Sequence, residues 1–185
     1  MSLRKKLINV LYSAATGSRK IRTLLTPVGF VFFFTLVMLF IVVSLWTDNF
    51  IGFSKIFSIS WSIIISIFFL TIGLFLILWS VFHFIKVKGT PVPFNPPPEL
   101  VITGPYAHVR NPMITGVFIL LFGFGILFNS VSLIFIFTPL FILLNLLELK
   151  KIEEPELEKR LGKEYLEYKK RVPMFIPRLK TKIKE

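Results

Sequence analysis

Two short stretches of the 185-residue chain gather the side chains that can do chemistry. The first holds Gly104-Pro105-Tyr106, His108 and Arg110-Asn111-Pro112-Met113. The second holds Lys150, Lys151, Glu153 and Glu154, followed at once by Pro155. A partly desolvated carboxylate attracts an ammonium or sulfonium by charge and hydrogen bond, so paired glutamates can meet a cationic ligand. The plainer alternative is helix-start chemistry, because acidic side chains favour the positive end of a helix dipole, and spacing alone favours it. Pro155 disfavours helix through the residue before it, which predicts a break at Glu153-Glu154. Read alone, Gly104-Pro105 and Asn111-Pro112 are turns ahead of a helix that has Pro112 in its first turn.

Other chemistries find no support. His83 and His108 are the only histidines, lie 25 residues apart, and have no cysteine partner, so no metal site is expected. The lack of cysteine removes disulfides and thiolate nucleophiles. No Ser-His-Asp order or phosphate-cradling loop is present, and the G-x-G of Gly123 and Gly125 follows no strand, so it reads as close helix packing. His83 reads as an interfacial residue at the end of an apolar run.

The elements that must position these residues are written in the hydropathy. Apolar residues make up 54% of the chain, charged ones 17%, and phenylalanine occurs 22 times. One small soluble core cannot bury so much apolar surface, and the expected fold is an all-α integral membrane protein. Apolar runs at about Val28–Trp46, Ile56–Ile85, Met113–Phe128 and Val131–Leu149 predict about four transmembrane helices, a crossing needing ~20 residues. Asn129-Ser130 alone separates the last two runs, which describes a tight hairpin. Pro139 is expected to kink the last one. The serines of the second run, Ser58, Ser60, Ser62 and Ser66, suit helix contacts.

The net charge of +12 sits in blocks between these runs, the pattern of a chain held against anionic lipid; nucleic acid is not expected as a partner. Six basic residues precede the first run, one (Lys55) follows it, three lie between Lys86 and Arg110, and twelve follow Leu149. The positive-inside rule then predicts cytoplasmic N- and C-termini. Leu3, Leu7, Val10, Leu11 and Ala14 recur at helical spacing beside basic residues, which predicts an amphipathic helix on the membrane surface. Leu157, Leu161, Tyr165, Tyr168 and Val172 predict a second such cytoplasmic helix along the bilayer. The prolines of residues 90–98 predict a stiff extended loop. The organisation is a basic N-terminal segment (1–27), two transmembrane helices (28–85) and a core (86–185) of loop, helical hairpin and amphipathic helix.

The set Leu100-Val101, Gly104-Pro105-Tyr106, Arg110-Asn111-Pro112, Gly116, Glu153-Glu154, Gly162, Tyr165, Tyr168, Val172-Pro173 and Ile176-Pro177 resembles the isoprenylcysteine carboxyl methyltransferase family. That family is itself similar to the membrane phospholipid N-methyltransferases. Gly89-Thr90-Pro91 and Arg110-Asn111-Pro112-Met113 resemble its prokaryotic branch, and the resemblance covers about residues 86–178. It implies a membrane methyltransferase that uses S-adenosylmethionine and takes a lipophilic small-molecule or lipid acceptor from the bilayer. By position it assigns Leu100, Val101, Tyr106, Asn111, Pro112, Met113, Ile114, Glu153 and Glu154 to the cofactor. Arg110 and His108 are the candidate positioning groups. The family usually has His at Asn111 and often Tyr at Ile114. An arginine that holds a substrate carboxylate is replaced by Leu149, leaving Lys150 and Lys151 as weak substitutes. The resemblance favours carboxyl O-methylation, with phospholipid N-methylation as the alternative. A non-catalytic membrane interaction protein keeping the fold is a further one. Carboxylates are already nucleophilic at neutral pH. An amine must first lose a proton, for which His108 or a glutamate is at hand.

Overall fold

The computed structural model describes residues 3–87, 89–90, 92–93, 95–97 and 99–177. Within these the protein is all-α, with no strand. Helix α1 (Leu3–Thr16) is followed by α2 (Arg19–Ile51), α3 (Ile59–Lys86), α4 (Pro112–Leu127), α5 (Leu133–Leu161) and α6 (Lys163–Arg171). Helices α2, α3 and α5 are long and apolar enough to cross a membrane. Helix α4 is apolar but has 16 residues, about 24 Å at 1.5 Å per residue. Most large apolar side chains of α2 and α3 lie on the surface, from Phe32 and Phe34 to Phe75 and Leu78, as lipid rather than water demands.

The chain divides into two compact units, one formed by residues up to Phe30, Leu78–Met113 and the chain from Glu148 on, the other by Val31–Ile77 and Ile114–Leu147.

The second unit is a helix cluster built on close approach. A Cβ on Gly73 would lie 2.8 Å from the Gly116 carbonyl oxygen, and one on Gly116 would lie 2.8 Å from the Gly73 carbonyl oxygen. Gly123 meets Leu70 and Gly125 meets Ile134 in the same manner, so both glycines serve packing. Phe141, 1% exposed, takes edge contacts from Phe33, Phe40 and Phe118. The hairpin turns through Asn129, whose φ of 55° is left-handed. Its side-chain oxygen accepts the amides of Ile56 and Phe57, and its amide donates to the Phe57 carbonyl. Ser62 donates to the Ile126 carbonyl, the helix-contact role expected of that serine.

Helix α5 departs from expectation. It does not break at Pro155. A π-helical turn, Leu149–Glu153, precedes Glu154-Pro155, and the Glu154 amide bonds back five residues to the Leu149 carbonyl. Proline lacks a donor and its ring crowds the carbonyl four residues back. The wider turn absorbs both defects and lets the helix continue to Leu161. Pro139 sits in the same device: a π turn at Leu133–Phe137 and a Thr138 amide bonded to Leu133.

In the first unit, Thr90 and Asn95 close the proline-rich loop. The Thr90 amide and hydroxyl both donate to the Asn95 carbonyl. The loop is therefore folded back, not extended, with Asn95 also donating to Thr26 Oγ1. Pro91 and Pro98 lie outside the described residues. The predicted second amphipathic helix is two pieces, the end of α5 and α6, divided at Gly162 with φ 60°. Its apolar face is turned inward: Tyr165, Tyr168 and Val172 form a buried cluster with Leu100, Leu157 and Leu161. From the loop, Leu100 packs on this face and the Tyr106 carbonyl accepts the Tyr168 hydroxyl.

Candidate functional site

The site region lies in the first unit, where the loop before α4, the end of α5, and α6 with its tail are stitched together. Gly104–Ala107 forms a single 3-10 turn opened by Pro105. Gly104 has φ 61°, and a Cβ there would come within 2.2 Å of His83 Nε2, so the turn needs glycine. His83 Nδ1 donates to the Trp79 carbonyl at 2.9 Å, because a carbonyl can only accept. Tyr106 is buried, with its ring on Phe84, and its carbonyl accepts the Tyr168 hydroxyl at 2.7 Å. Burial pushes the hydroxyls of Tyr106, Tyr165 and Tyr168 well above the usual phenol range, so all three stay neutral donors.

Arg110 is the hub. Its guanidinium meets Glu154 Oε1 at 2.6 Å and donates to the Lys169 and Val172 carbonyls. The backbone continues the seam, with the Arg110 amide on the Pro173 carbonyl and the Asn111 amide on that of Met174. The other oxygen of Glu154 takes Lys169 Nζ at 2.7 Å, and Lys169 also reaches Glu158 at 2.8 Å. Burial lowers the Lys169 pKa, but Glu154 and Glu158 outweigh it, so the ammonium is held above its ordinary value.

The two adjacent glutamates thus have different fates. Glu154 is 4% exposed with both oxygens spent on cations. Glu153 is half-buried and makes no ion pair among the described residues. Beyond Lys150 the charged side chains of α5 are too dense for hydrocarbon, so Glu153 lies outside the apolar span. Burial first, then the nearby carboxyls of Glu148 and Glu156, push its pKa up to about 8, against a smaller pull from Arg160. A carboxylate kept uncomfortable in this way is relieved by a cation. The donor chemistry therefore fits a ligand bearing an ammonium or sulfonium at Glu153.

Of the residues assigned from the sequence, Leu100, Val101, Tyr106, His108, Arg110, Asn111, Pro112, Met113, Lys150, Lys151, Glu153 and Glu154 fall in this one unit. Ile114 opens the other. Pro112 starts α4 as predicted. His108 is exposed at the end of the 3-10 turn. Lys150 and Lys151 are exposed, while Leu149 is 3% exposed, facing inward. Sequence reasoning missed Lys169, which reads as one of several solvated charges in Lys169-Lys170-Arg171. It also missed Ser80, a hydrogen-bond partner of Tyr106 hidden in an apolar run. Among the described residues no group of His, Asp or Glu could hold a metal ion.

The phospholipid methyltransferase family model matches residues 61–164, more than half of the chain. The chain belongs to the phospholipid methyltransferase family. No match is found among curated proteins or solved structures. The matched region takes in α3 from Trp61 on, the 3-10 turn, Arg110, α4 and the whole of α5 with its two glutamates. Membership makes this a membrane methyltransferase, as the sequence resemblance implied.

Proposed function

We propose that this family member transfers a methyl group from S-adenosylmethionine to the amine of a phospholipid headgroup. The observation that carries the amine over the carboxylate is the family match itself, whose description names phospholipid. The buried Leu149, standing where a carboxylate-holding arginine would be needed, argues the same way. Carboxyl O-methylation of a lipophilic acid is the reading the sequence favoured, and it becomes the other outcome of the test below.

S-adenosylmethionine supplies an electrophilic methyl on a positively charged sulfur. In this assignment Glu153 receives the positive charge of the cofactor, and Leu100, Val101, Tyr106, Asn111, Pro112 and Met113 line its pocket. Glu154, which the resemblance also assigns to the cofactor, pairs with Arg110 and Lys169, and with them it braces the tail on the loop. The remaining task is positioning and exclusion of water. A headgroup amine near pKa ~10 is almost wholly protonated at neutrality, and in this reading His108 or a glutamate takes that proton. Residues 86–185 form the methyltransferase core. Four spans with both termini cytoplasmic agree with the placement of 21 of the 22 basic residues. Reporter fusions after Gly52 and after Glu185 are expected on opposite sides, and the same side for both would defeat that topology.

The deciding experiment offers phosphatidylethanolamine and a prenylcysteine analogue at saturation and follows labelled methyl. Alkali-stable incorporation into phospholipid, at a rate that climbs with pH between about 6 and 9, is expected. An alkali-labile ester on the thioether acid, with no phospholipid product, would restore the carboxylate reading.

A further inference from the structure

Helix α1 presents three faces. Leu11 and Ala15 are buried, and on that side the helix packs on α5: Arg4 Nε donates to the Lys151 carbonyl at 2.9 Å, Lys159 Nζ donates to Asn9 Oδ1 at 3.0 Å, and Lys159 lies 4.0 Å over the Tyr12 ring. Lys5, Lys6 and Ser13 form an exposed polar side. Leu3, Leu7 and Val10, one helical turn apart, form a third face that is 73%, 43% and 64% exposed. That apolar stripe has no cover among the described residues.

Its surroundings say what covers it. Only Gly17 and Ser18 separate α1 from α2, and the apolar run of α2 begins near Val28, about 15 Å of helix beyond Arg19 at 1.5 Å per residue. The stripe is therefore tethered within headgroup reach of hydrocarbon. It is flanked by the exposed Lys5, Lys6, Arg19 and Lys20, with no acidic residue anywhere in the first 47 positions. An apolar stripe between cations suits an anionic leaflet and repels a basic protein surface, including a second copy of this chain with its +12 charge.

The inner face reaches the site. Pro155 cannot donate to the carbonyl four residues behind it, and that carbonyl belongs to Lys151. Arg4 supplies the missing donor from 147 residues away in sequence. We propose that α1 docks on anionic lipid through Leu3, Leu7 and Val10 and, once docked, holds Arg4 on the Lys151 carbonyl, so that leaflet charge steadies the π turn carrying Glu153 and Glu154. This surface serves regulation by lipid and is separate from the acceptor site.

The chain has no cysteine, so single-cysteine reporters are clean. Full-length Leu7→Cys, Val10→Cys and Ser13→Cys proteins carry a fluorophore in nanodiscs of phosphatidylcholine with or without phosphatidylglycerol. With phosphatidylglycerol, positions 7 and 10 are expected to be shielded from iodide and quenched by a lipid nitroxide, with position 13 open to iodide. Equal iodide access at all three positions, or shielding that grows with the number of protein copies per disc and not with lipid charge, overturns the docking. Amide exchange over 149–158 reads the coupling without any ligand. Phosphatidylglycerol is expected to slow it about fivefold in the parent chain and not in Arg4→Ala, with Arg4→Lys between them. Slowing that is absent, or equal in Arg4→Ala, overturns the coupling. Failure of the methyltransferase reading would leave both readouts intact.

Discussion

The turns before Pro139 and Pro155 are the same backbone device sixteen residues apart, and their side chains make them opposite in use. Each is five π-helical residues starting at a leucine, then one residue, then proline. In the first the turn reads Leu-Ile-Phe-Ile-Phe and the residue before proline is Thr138; in the second it reads Leu-Lys-Lys-Ile-Glu and that residue is Glu154. Thr138 is fully buried and its hydroxyl has no hydrogen-bond partner among the described residues, whereas Glu154 has two cations. Accommodating proline is thus the constant function of the device. What varies is that the charged copy turns two neighbouring carboxylates toward different surroundings, one saturated and one left open.

The largest effect expected from breaking this contrast is at Glu154. Glu154→Gln leaves Arg110 without a carboxylate in a buried setting and Lys169 with Glu158 alone, and losing one partner of a buried pair costs about 3–5 kcal/mol. Thermal unfolding in detergent should show it, together with protease access to the tail after Val172. Unchanged stability would mean the seam does not hold the tail.

Next is Gly104→Ala. A Cβ there combines left-handed strain with collision at His83, together about 2–3 kcal/mol, and the added His83→Ala should recover part of the loss. Full tolerance of Gly104→Ala would show that the turn is not held against α3.

Glu153→Gln should leave folding intact and weaken S-adenosylmethionine binding by roughly tenfold to a hundredfold in calorimetry. Its pH signature follows from a folded pKa of about 8, above the ordinary 4.5. The stability this group contributes is complete below pH 4.5 and is lost as pH rises through about 8, where the buried carboxyl must ionise. Cation affinity runs the other way. It should rise with pH by up to about tenfold per unit below 8 and level off above, while Glu153→Gln shows no such rise. A flat profile in the parent chain would remove Glu153 from the cofactor site.

The smallest effect is at the apolar copy. Thr138→Val replaces a buried hydroxyl, unpartnered among the described residues, with a methyl of similar shape, so stability should stay level or gain up to about 1 kcal/mol. A clear loss would reveal a partner for the hydroxyl and weaken the contrast with Glu154.

Local pattern was enough for much of this protein. Run length and hydropathy determined the apolar helices, Asn129-Ser130 marked the hairpin, Pro112 marked a helix start, and Gly123 and Gly125 marked close packing, because each depends on residues within a turn or two. The fate of Glu153 and Glu154 did not. They are chemically identical neighbours, and only the folded chain brings Arg110 and Lys169 to one and leaves the other among carboxyls. The inward face of α6 was equally invisible, since an apolar stripe fits lipid or protein until Leu100 and Tyr106 are brought beneath it. Pro155 reads as a break in sequence because the local rule sees a lost donor and a crowded carbonyl; a π turn and a guanidinium from α1 supply what that rule could not count.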